Sequence, residues 1–244
     1  MTNATTTPFL SVIIPAKNEE ALLPGCLESL QHQDTTLPWE LIIVDSSTTP
    51  TTRAIAESYG ARVIEQPKPG KGLAVKIGVE ASRGQILCFT EADCRVTPHW
   101  LSAIADAFRT HPEAVGAVGI YSFFDCSFWE NFLVRIEMPL SVWGFYLLYH
   151  NHSIRGTNFA VTAEAYHKAG GVNPAARELH DVEFGLRLAK IGPIRYVRAM
   201  KIQTSDRRIR GRMVKFMIEE SLPALFGLLV KKRVQTFTIY EDIR

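Results

Sequence analysis

The sequence predicts an α/β protein in which helices flank a mostly parallel central sheet. Three observations support this prediction: the first half alternates strand and helix patterns, the connections between them are short, and several predicted strands end directly on polar or acidic residues. Repeated strand–helix units of this length imply a parallel sheet with right-handed crossovers. Because ligands of such sheets bind at the carboxyl ends of the strands, these polar residues are candidates for a functional site.

Each predicted strand of the first half is a short apolar run, and each longer predicted helix carries apolar residues three or four positions apart. Gly60 and Gly84 follow two of the helices and are typical stop signals. In chain order the elements are strand Leu10–Ile14, which Pro15 closes, helix Glu19–Gln31, strand Trp39–Val44, helix Thr51–Tyr59, strand Arg62–Ile64, helix Gly70–Arg83 and strand Gln85–Phe89.

The second half is less regular but continues the same mixture of elements. It contains no internal repeat and no clear linker, so we predict one domain over residues 8–205, followed by a basic and apolar helical extension over residues 206–244. The predicted elements are strand Ala114–Ile120, a helical and aromatic-rich segment Phe128–Tyr149, strand Asn158–Thr162, helix Leu179–Ile191, which Gly192 ends, and strand Ile194–Val197.

The composition excludes some classes of protein. Apolar residues make up 46% and charged residues 21% of the 244 positions, which is typical of a globular protein and not of a disordered one. A formal charge of +2 gives no argument for nucleic acid as a partner. The four cysteines are far apart without a C-x-x-C pair, and the N-terminus has neither a basic region nor an apolar core, so we expect reduced thiols, no signal peptide and a cytoplasmic protein.

Two apolar stretches, Met138–Tyr149 and Leu222–Val230, leave a membrane contact open. Both are far shorter than the roughly 20 residues that a spanning helix needs. They pack either against the sheet and each other or in a membrane interface on the cytoplasmic face. Basic residues flank the second stretch, and such a pattern favours anionic lipid surfaces.

Glu91 and Asp93 are separated by one residue and follow the apolar run that ends at Phe89. Two carboxylates on a turn at the end of a strand can converge on one Mg²⁺ or Mn²⁺, and Mg²⁺ usually completes its shell with phosphate and water. The alternative is a solvated acidic turn in which Asp93 caps a helix that begins near Thr97 or Pro98.

Three further features each have a functional and a plain structural interpretation. The loop Pro67–Gly72 leads into a helix, whose free N–H groups favour an anion, but it is equally a helix-entry turn and lacks the P-loop spacing. Asp45 ends a strand and either accepts a hydrogen bond from a base or ribose, or satisfies its own Asx turn. Asp181 begins a helix and is either a general base or an acid that complements the helix dipole.

Taken together and in this order, these motifs resemble the inverting family 2 glycosyltransferases of the GT-A fold. Each motif is weak alone, but their common order over about residues 10–190 is specific. The matching pieces are Val12-Ile13-Ile14-Pro15-Ala16-Lys17-Asn18-Glu19, Ile42-Ile43-Val44-Asp45-Ser46-Ser47, Gly70-Lys71-Gly72-x-Ala74, Glu91-Ala92-Asp93 and His180-Asp181-x-Glu183 with Arg187.

The resemblance implies a role for each matching residue. Glu91 replaces the more usual aspartate and would contact ribose or reach the metal through water, and His180 replaces the glutamate that precedes the base. Arginine binds phosphate through two parallel hydrogen bonds, so the basic run after residue 206 would also bind the diphosphate. The implied nucleotide-sugar contacts are Pro15, Ala16, Glu19, Asp45, Lys71, Glu91, Ala92, Arg207 and Arg208, the metal ligands are Asp93 and Glu91, and the catalytic base is Asp181.

The implied reaction moves a sugar from a nucleotide-diphospho-sugar to a hydroxyl of a saccharide or lipid-linked acceptor, with Mg²⁺ or Mn²⁺ as cofactor. Two alternatives are kept. A sugar-phosphate nucleotidyltransferase usually has a Gly-rich basic loop directly after the first strand, where this chain has Pro15–Glu19. A nucleotide-sugar-binding scaffold without activity is suggested by the replacements at Glu91 and His180.

Overall fold

The computed structural model describes residues 9–130, 132, 136, 146–147, 150–152, 154, 156–174 and 180–207. These residues form one eight-stranded sheet with strand order β3-β2-β1-β4-β7-β6-β8-β5. The strands are β1 (Leu10–Ala16), β2 (Trp39–Asp45), β3 (Arg62–Glu65), β4 (Ile86–Phe89), β5 (Cys94–Val96), β6 (Gly116–Phe123), β7 (Phe159–Thr162) and β8 (Ile194–Thr204). The helices are α1 (Leu23–Gln31), α2 (Thr51–Ser58), α3 (Lys71–Ala81), α4 (Trp100–Thr110), α5 (Ala163–Lys168) and α6 (His180–Leu188).

The first half is the predicted parallel sheet, in which β2 and β4 pair with β1, and β3 pairs with β2. Strand β1 runs through Pro15, beyond its predicted end. Ala16 O accepts from Ser46 N on the β2 side, so Pro15 faces the β4 side. There the ladder has already stopped at Phe89, and the missing proline N–H removes no sheet hydrogen bond.

The second half adds antiparallel pairings, so the complete sheet is mixed. Strand β7 is antiparallel to both β4 and β6, β6 is parallel to β8, and β8 is antiparallel to β5. The start of β7 therefore lies beside the end of β4, and the end of β8 lies beside the start of β5. One edge of the sheet thus collects the carboxyl ends of β1, β2, β4, β6 and β8.

The observed elements differ from the predicted ones at three places. Helix α1 begins at Leu23 instead of Glu19, because the Glu19 carbonyl accepts from Leu22 N and Leu23 N in a turn, and Pro24 lies in the first turn of the helix. After Asp93 the chain forms β5, and helix α4 starts only at Trp100, so Asp93 does not cap it. The short elements β5 and α5 were not predicted.

The core lies on both faces of the sheet, and alternate residues of β1 contribute to the two layers. Val12 and Ile14 pack with α1 and α4, whereas Ile13 packs with α3 and α6. The side chain of Asn158 is buried and forms hydrogen bonds with helix α4 and with strands β6 and β8. Its Oδ1 accepts from Trp100 Nε1 at 2.8 Å, and its Nδ2 donates to carbonyls of β6 and β8 at a bulge in their pairing.

Parts of the predicted second-half helices lie outside the described residues. Of the predicted helix Phe128–Tyr149, the positions 128–130, 132, 136, 146 and 147 are helical. Its first turn has a capping box, in which Ser127 and Glu130 exchange hydrogen bonds. Most of Met138–Tyr149, the whole of Leu222–Val230 and the other residues after Arg207 are not described. None of the helices that the structure does describe is long and apolar enough to cross a membrane.

Candidate active site

A cleft opens at the sheet edge where β1, β2 and β4 end. Its walls come from the loops after these strands and from the first turns of α3. The side chains and backbone that line it are those of Pro15, Ala16, Lys17, Glu19, Ser46, Gly70, Lys71, Ala74, Glu91, Ala92 and Asp93. Seven of the residues that the sequence singled out therefore share one cavity: Pro15, Ala16, Glu19, Lys71, Glu91, Ala92 and Asp93.

The loops after β1 and β2 hold each other in place. Asn18 has a φ of 53°, a left-handed conformation that asparagine tolerates. Its side-chain oxygen accepts from Thr48 N at 2.9 Å, and its own N–H donates to Ser47 Oγ at 2.8 Å. Glu19 N donates to Thr52 Oγ1 at 3.2 Å, which fixes the direction in which the Glu19 side chain leaves the loop.

Asp45 lies at the end of β2 but is not one of the residues that line the cleft. Its Oδ1 accepts from Ser47 N at 3.0 Å and from Ser47 Oγ at 2.5 Å, so the Asx-turn interpretation describes these contacts. Only 3% of Asp45 is exposed, and its neighbour Ser46 lines the cleft instead. The contact between Asp45 and a nucleotide stays a prediction.

Arg207 joins Glu19 and Asp93 at one side of the cleft. Its Nη2 lies 2.5 and 2.7 Å from the two carboxylate oxygens of Glu19 and 3.1 Å from Asp93 Oδ2. The end of β8 reaches this place because Ser205 N donates to Asp93 O at 3.1 Å. Burial alone would lower the pKa of Arg207, but the hydrogen bonds and charges of Glu19 and Asp93 raise it above its usual value, so the guanidinium stays charged.

A second cluster surrounds the candidate base. Lys71 Nζ lies 2.6 Å from Glu91 Oε1, and Gly156 N donates to Asp181 Oδ2 at 2.5 Å. A methyl group placed on Gly156 would lie 3.2 Å from Asp181 Oδ2 and 3.4 Å from Lys71 Nζ. The first turn of α3, the end of β4 and the start of α6 therefore meet around Gly156.

The acids at the cleft form two groups. Glu91 Oε1 contacts Lys71 Nζ, whereas Glu19 lies with Asp93 around Arg207. The contact of Glu91 and Asp93 with a metal stays a prediction. Arg208 lies outside the described residues. The sequence did not predict the contact of Gly156 with Asp181. Nor did it predict the role of Gln66, whose Nε2 donates to Lys68 O and Gly70 O and so shapes the Gly-rich loop.

The acid pair suits a hard divalent cation. Glu19 and Asp93 are 3% and 5% exposed, and their oxygens already share one positive group. Within the described ranges, no group of three or more His, Cys, Asp or Glu side chains is arranged to hold a metal ion. A site of one or two carboxylates is nevertheless what Mg²⁺ and Mn²⁺ use when substrate phosphates supply further ligands.

Comparison with known proteins places this geometry in context. The sequence profile described as Glycosyl transferase family 2 matches residues 11–170. Glycosyltransferase AglE of Haloferax volcanii is 34% identical over 105 residues, which are 39% of this chain and 34% of AglE. Glucosyl-3-phosphoglycerate synthase of Mycobacterium tuberculosis is 35% identical over 98 residues, 37% of this chain and 30% of the enzyme. The matched part of the chain thus spans roughly a third of these relatives.

Solved structures show the same fold. The mannosyltransferase PcManGT of Pyrobaculum calidifontis, in complex with GDP-Man and Mn²⁺, has a TM-score of 0.72 at 18% identity, covering 97% of this chain and 68% of that protein. The glucosyl-3-phosphoglycerate synthase with Mn²⁺, UDP-glucose and phosphoglyceric acid has a TM-score of 0.60 at 21% identity, covering 92% and 79%. The GT-A type α/β fold that the motifs implied is confirmed.

Proposed function

This chain belongs to glycosyl transferase family 2, and we propose that it transfers a sugar from a nucleotide-diphospho-sugar to an acceptor hydroxyl with inversion at the anomeric carbon. The observation that carries the proposal is the cleft itself. Where the parallel strands β1, β2 and β4 end, it brings together Glu19 and Asp93, which share Arg207, and the pair Glu91–Lys71. Asp181 lies close by, held by the N–H of Gly156. The inverting and metal-dependent chemistry of the family supports this assignment.

The donor would lie along the cleft. In this proposal Pro15, Ala16, Glu19, Asp45, Lys71, Glu91 and Ala92 contact the nucleotide-sugar, and Arg207 and Arg208 contact its diphosphate. Asp93 is the proposed direct ligand of Mg²⁺ or Mn²⁺, in line with the Mn²⁺ present in the two similar structures, and Glu91 would reach the metal through water. When bound, such a metal acts as a Lewis acid for the charge on the leaving phosphate.

Asp181 is the proposed general base. The N–H of Gly156 donates to Asp181 Oδ2 and so fixes the orientation of the carboxylate. The acceptor hydroxyl gives its proton to Asp181 while its oxygen forms a bond to the anomeric carbon, and the bond to the diphosphate breaks on the opposite face. The leaving group carries away the bonding electrons, and charge-assisted hydrogen bonds from arginine stabilise the charge that grows on it.

We further propose a lipid-linked or cell-envelope saccharide as acceptor and a peripheral contact with the membrane. The supporting observation is an aromatic surface in the segment after β6. Phe128 and Trp129 are 74% and 71% exposed, and Phe132 and Ile136 are about half exposed. Binding to vesicles of anionic lipid should weaken in a Trp129→Ser variant, and equal binding of variant and parent would refute this contact.

The phosphoglyceric acid found with the M. tuberculosis enzyme makes a small anionic acceptor the first alternative to assay.

The test of the reaction compares ligand binding with turnover. UDP, GDP and their sugars, each with Mn²⁺, Mg²⁺ or chelator, should raise the melting temperature in a metal-dependent way, because a ligand at 100 times its Kd adds about 2.7 kcal/mol of stability. Asp93→Ala should lose this effect. Asp181→Asn should keep it but lose about 10²–10⁴-fold in kcat, the usual contribution of a general base.

Three outcomes would contradict the proposal. Equal kcat for Asp181→Asn and the parent would remove Asp181 from the mechanism. Stabilisation by a donor without transfer or hydrolysis would indicate a binding scaffold. Release of pyrophosphate from a nucleoside triphosphate in the presence of a sugar phosphate would indicate a nucleotidyltransferase.

A further inference from the structure

Within the part of the chain that the structure describes, Glu19 and Asp93 are two buried carboxylates that share one guanidinium, that of Arg207. Arg207 Nη2 lies 2.5 and 2.7 Å from the oxygens of Glu19 and 3.1 Å from Asp93 Oδ2. Because only 3% of Glu19 and 5% of Asp93 are exposed, water screens their mutual repulsion poorly. Two ionised carboxylates in such a place require a cation between them.

A divalent metal would need the same oxygen atoms. Mg²⁺ and Mn²⁺ bind carboxylate oxygen directly, and Asp93 Oδ2 is now a hydrogen-bond acceptor for Arg207. A guanidinium and a metal ion at the same pair of carboxylates would repel each other. The two cations are therefore alternatives at this position.

We propose that Arg207 is the resident cation of the Glu19–Asp93 pair in the donor-free protein, and that it leaves this position when a divalent metal enters together with the diphosphate of the donor. The inference rests on the proposed function and adds the step in which one cation replaces the other as the donor binds. Glu19 then belongs to the cation site and does more than contact the nucleotide.

The exchange keeps every charge paired only when metal and diphosphate arrive together. The metal then replaces the guanidinium between the carboxylates, and the phosphate oxygens offer the released guanidinium a new anionic partner. The Arg207 side chain is 33% exposed, in contrast to the buried side chains of Glu19 and Asp93, so it has access to the open side of the cleft. Metal alone would displace Arg207 without giving it a partner, and metal alone therefore binds weakly.

The test measures Mn²⁺ binding directly, by the loss of the free-ion EPR signal, with no turnover involved. The parent protein should bind Mn²⁺ weakly alone and more tightly with UDP or GDP. Arg207→Met should bind Mn²⁺ without nucleotide at least about tenfold more tightly than the parent, a change of about 1.4 kcal/mol. Arg53→Met is the matched control, because Arg53 pairs with Glu65 at 3.1 Å on the surface and its loss should leave Mn²⁺ binding unchanged.

Two additional variants keep the test decisive. Glu19→Gln combined with Arg207→Met should lose the gain, because one of the two carboxylates is then neutral. If Arg207→Met does not fold, Arg207→Lys retains a cation with fewer donors in a less suitable geometry and should still show tighter Mn²⁺ binding than the parent. Mn²⁺ added alone should also raise the melting temperature of the Arg207 variants more than that of the parent.

The exchange and the proposed function fail in different ways. If the parent and the Arg207 variants bind Mn²⁺ alone equally well, the exchange is wrong, while tighter binding with UDP or GDP would still support the donor site. If no variant binds Mn²⁺ with or without these nucleotides, both proposals are wrong.

Discussion

Gly156 contacts the proposed base directly and leaves little room for its carboxylate to move. Its N–H holds Asp181 Oδ2, and a methyl group at this position would lie 3.2 Å from that oxygen and 3.4 Å from Lys71 Nζ. Gly156→Ala should therefore displace the carboxylate and lower kcat by about 10²-fold, the cost typical of a misplacement of roughly 1 Å. Steady-state kinetics and calorimetric donor binding would separate this loss from a loss of donor affinity. An unchanged kcat would show that Gly156 does not position the base.

At the residue scale, the sequence predicted which acids lie near the cleft but not how they pair. Glu91, Asp93 and Asp181 were identifiable because they follow strands or begin a helix in a recognisable order. The contact of Arg207 with Glu19 joins positions 188 residues apart, and it depends on how β8 returns to the edge of the sheet. Local spacing carries no information about such a contact.

Among the elements, α3 lies so close to the sheet that it has no room for a side chain at Gly78. A methyl group there would lie 2.4 Å from Ile13 Cγ2 and 3.2 Å from Val44 Cγ2. Glycine to alanine usually stabilises a helix by about 0.8–1.0 kcal/mol, but overpacking a core costs about 1–3 kcal/mol. Gly78→Ala should therefore lower the free energy of unfolding in a denaturant titration.

Gly25→Ala is the control for this prediction. Gly25 also lies in a helix, and its nearest neighbour would be Arg95 Nε at 3.1 Å, the end of a flexible side chain that can move away. This variant should be neutral or stabilising. A Gly78→Ala variant as stable as the parent would mean that α3 does not pack on β1 and β2 as closely as described. Similar destabilisation of both variants would mean that the loss at Gly78 is not specific to its close packing.

At the element scale, long regular patterns were the easiest to predict, although only the first four of the eleven residues of β8 were predicted. Strands β1 and β2, with seven residues each, and helix α3, with eleven, were long enough for their periodicity to be read. Strand β5 has only three residues, which is too few to establish an alternation. Helix α5 has six, and its cap at Thr162 lies inside the preceding strand, which hides the boundary.

At the scale of the whole molecule, the reactivity of the four cysteines can test how the core is packed. Cys26, Cys88 and Cys94 are buried, whereas Cys126 is partly exposed. Burial raises the pKa of Cys94 to about 12 and that of Cys26 well above its usual value, so few of these thiols are ionised near neutral pH. In the folded protein we expect Ellman's reagent to modify Cys126 quickly and the three buried thiols only as the protein unfolds.

A Cys126→Ser variant would check this assignment, because it should abolish the fast phase and leave the slow one. Peptide mapping would identify the modified positions. Fast modification of Cys26 or Cys94 in the native protein would contradict their burial beneath the cleft.

The mixed sheet also has a consequence for the order in which the protein folds during its synthesis. Glu19 and Asp93 leave the ribosome early, but Arg207 follows the last strand of the sheet, and β8 pairs with both β6 and β5. During synthesis, therefore, the N-terminal strands emerge long before the cation that their acids require. Until β8 docks, the two acids stay hydrated, and burying them early would leave their charges uncompensated. The final strand thus completes the cleft, and a chain that stops before β8 would have the loops that carry Glu19 and Asp93 without the cation that pairs with both.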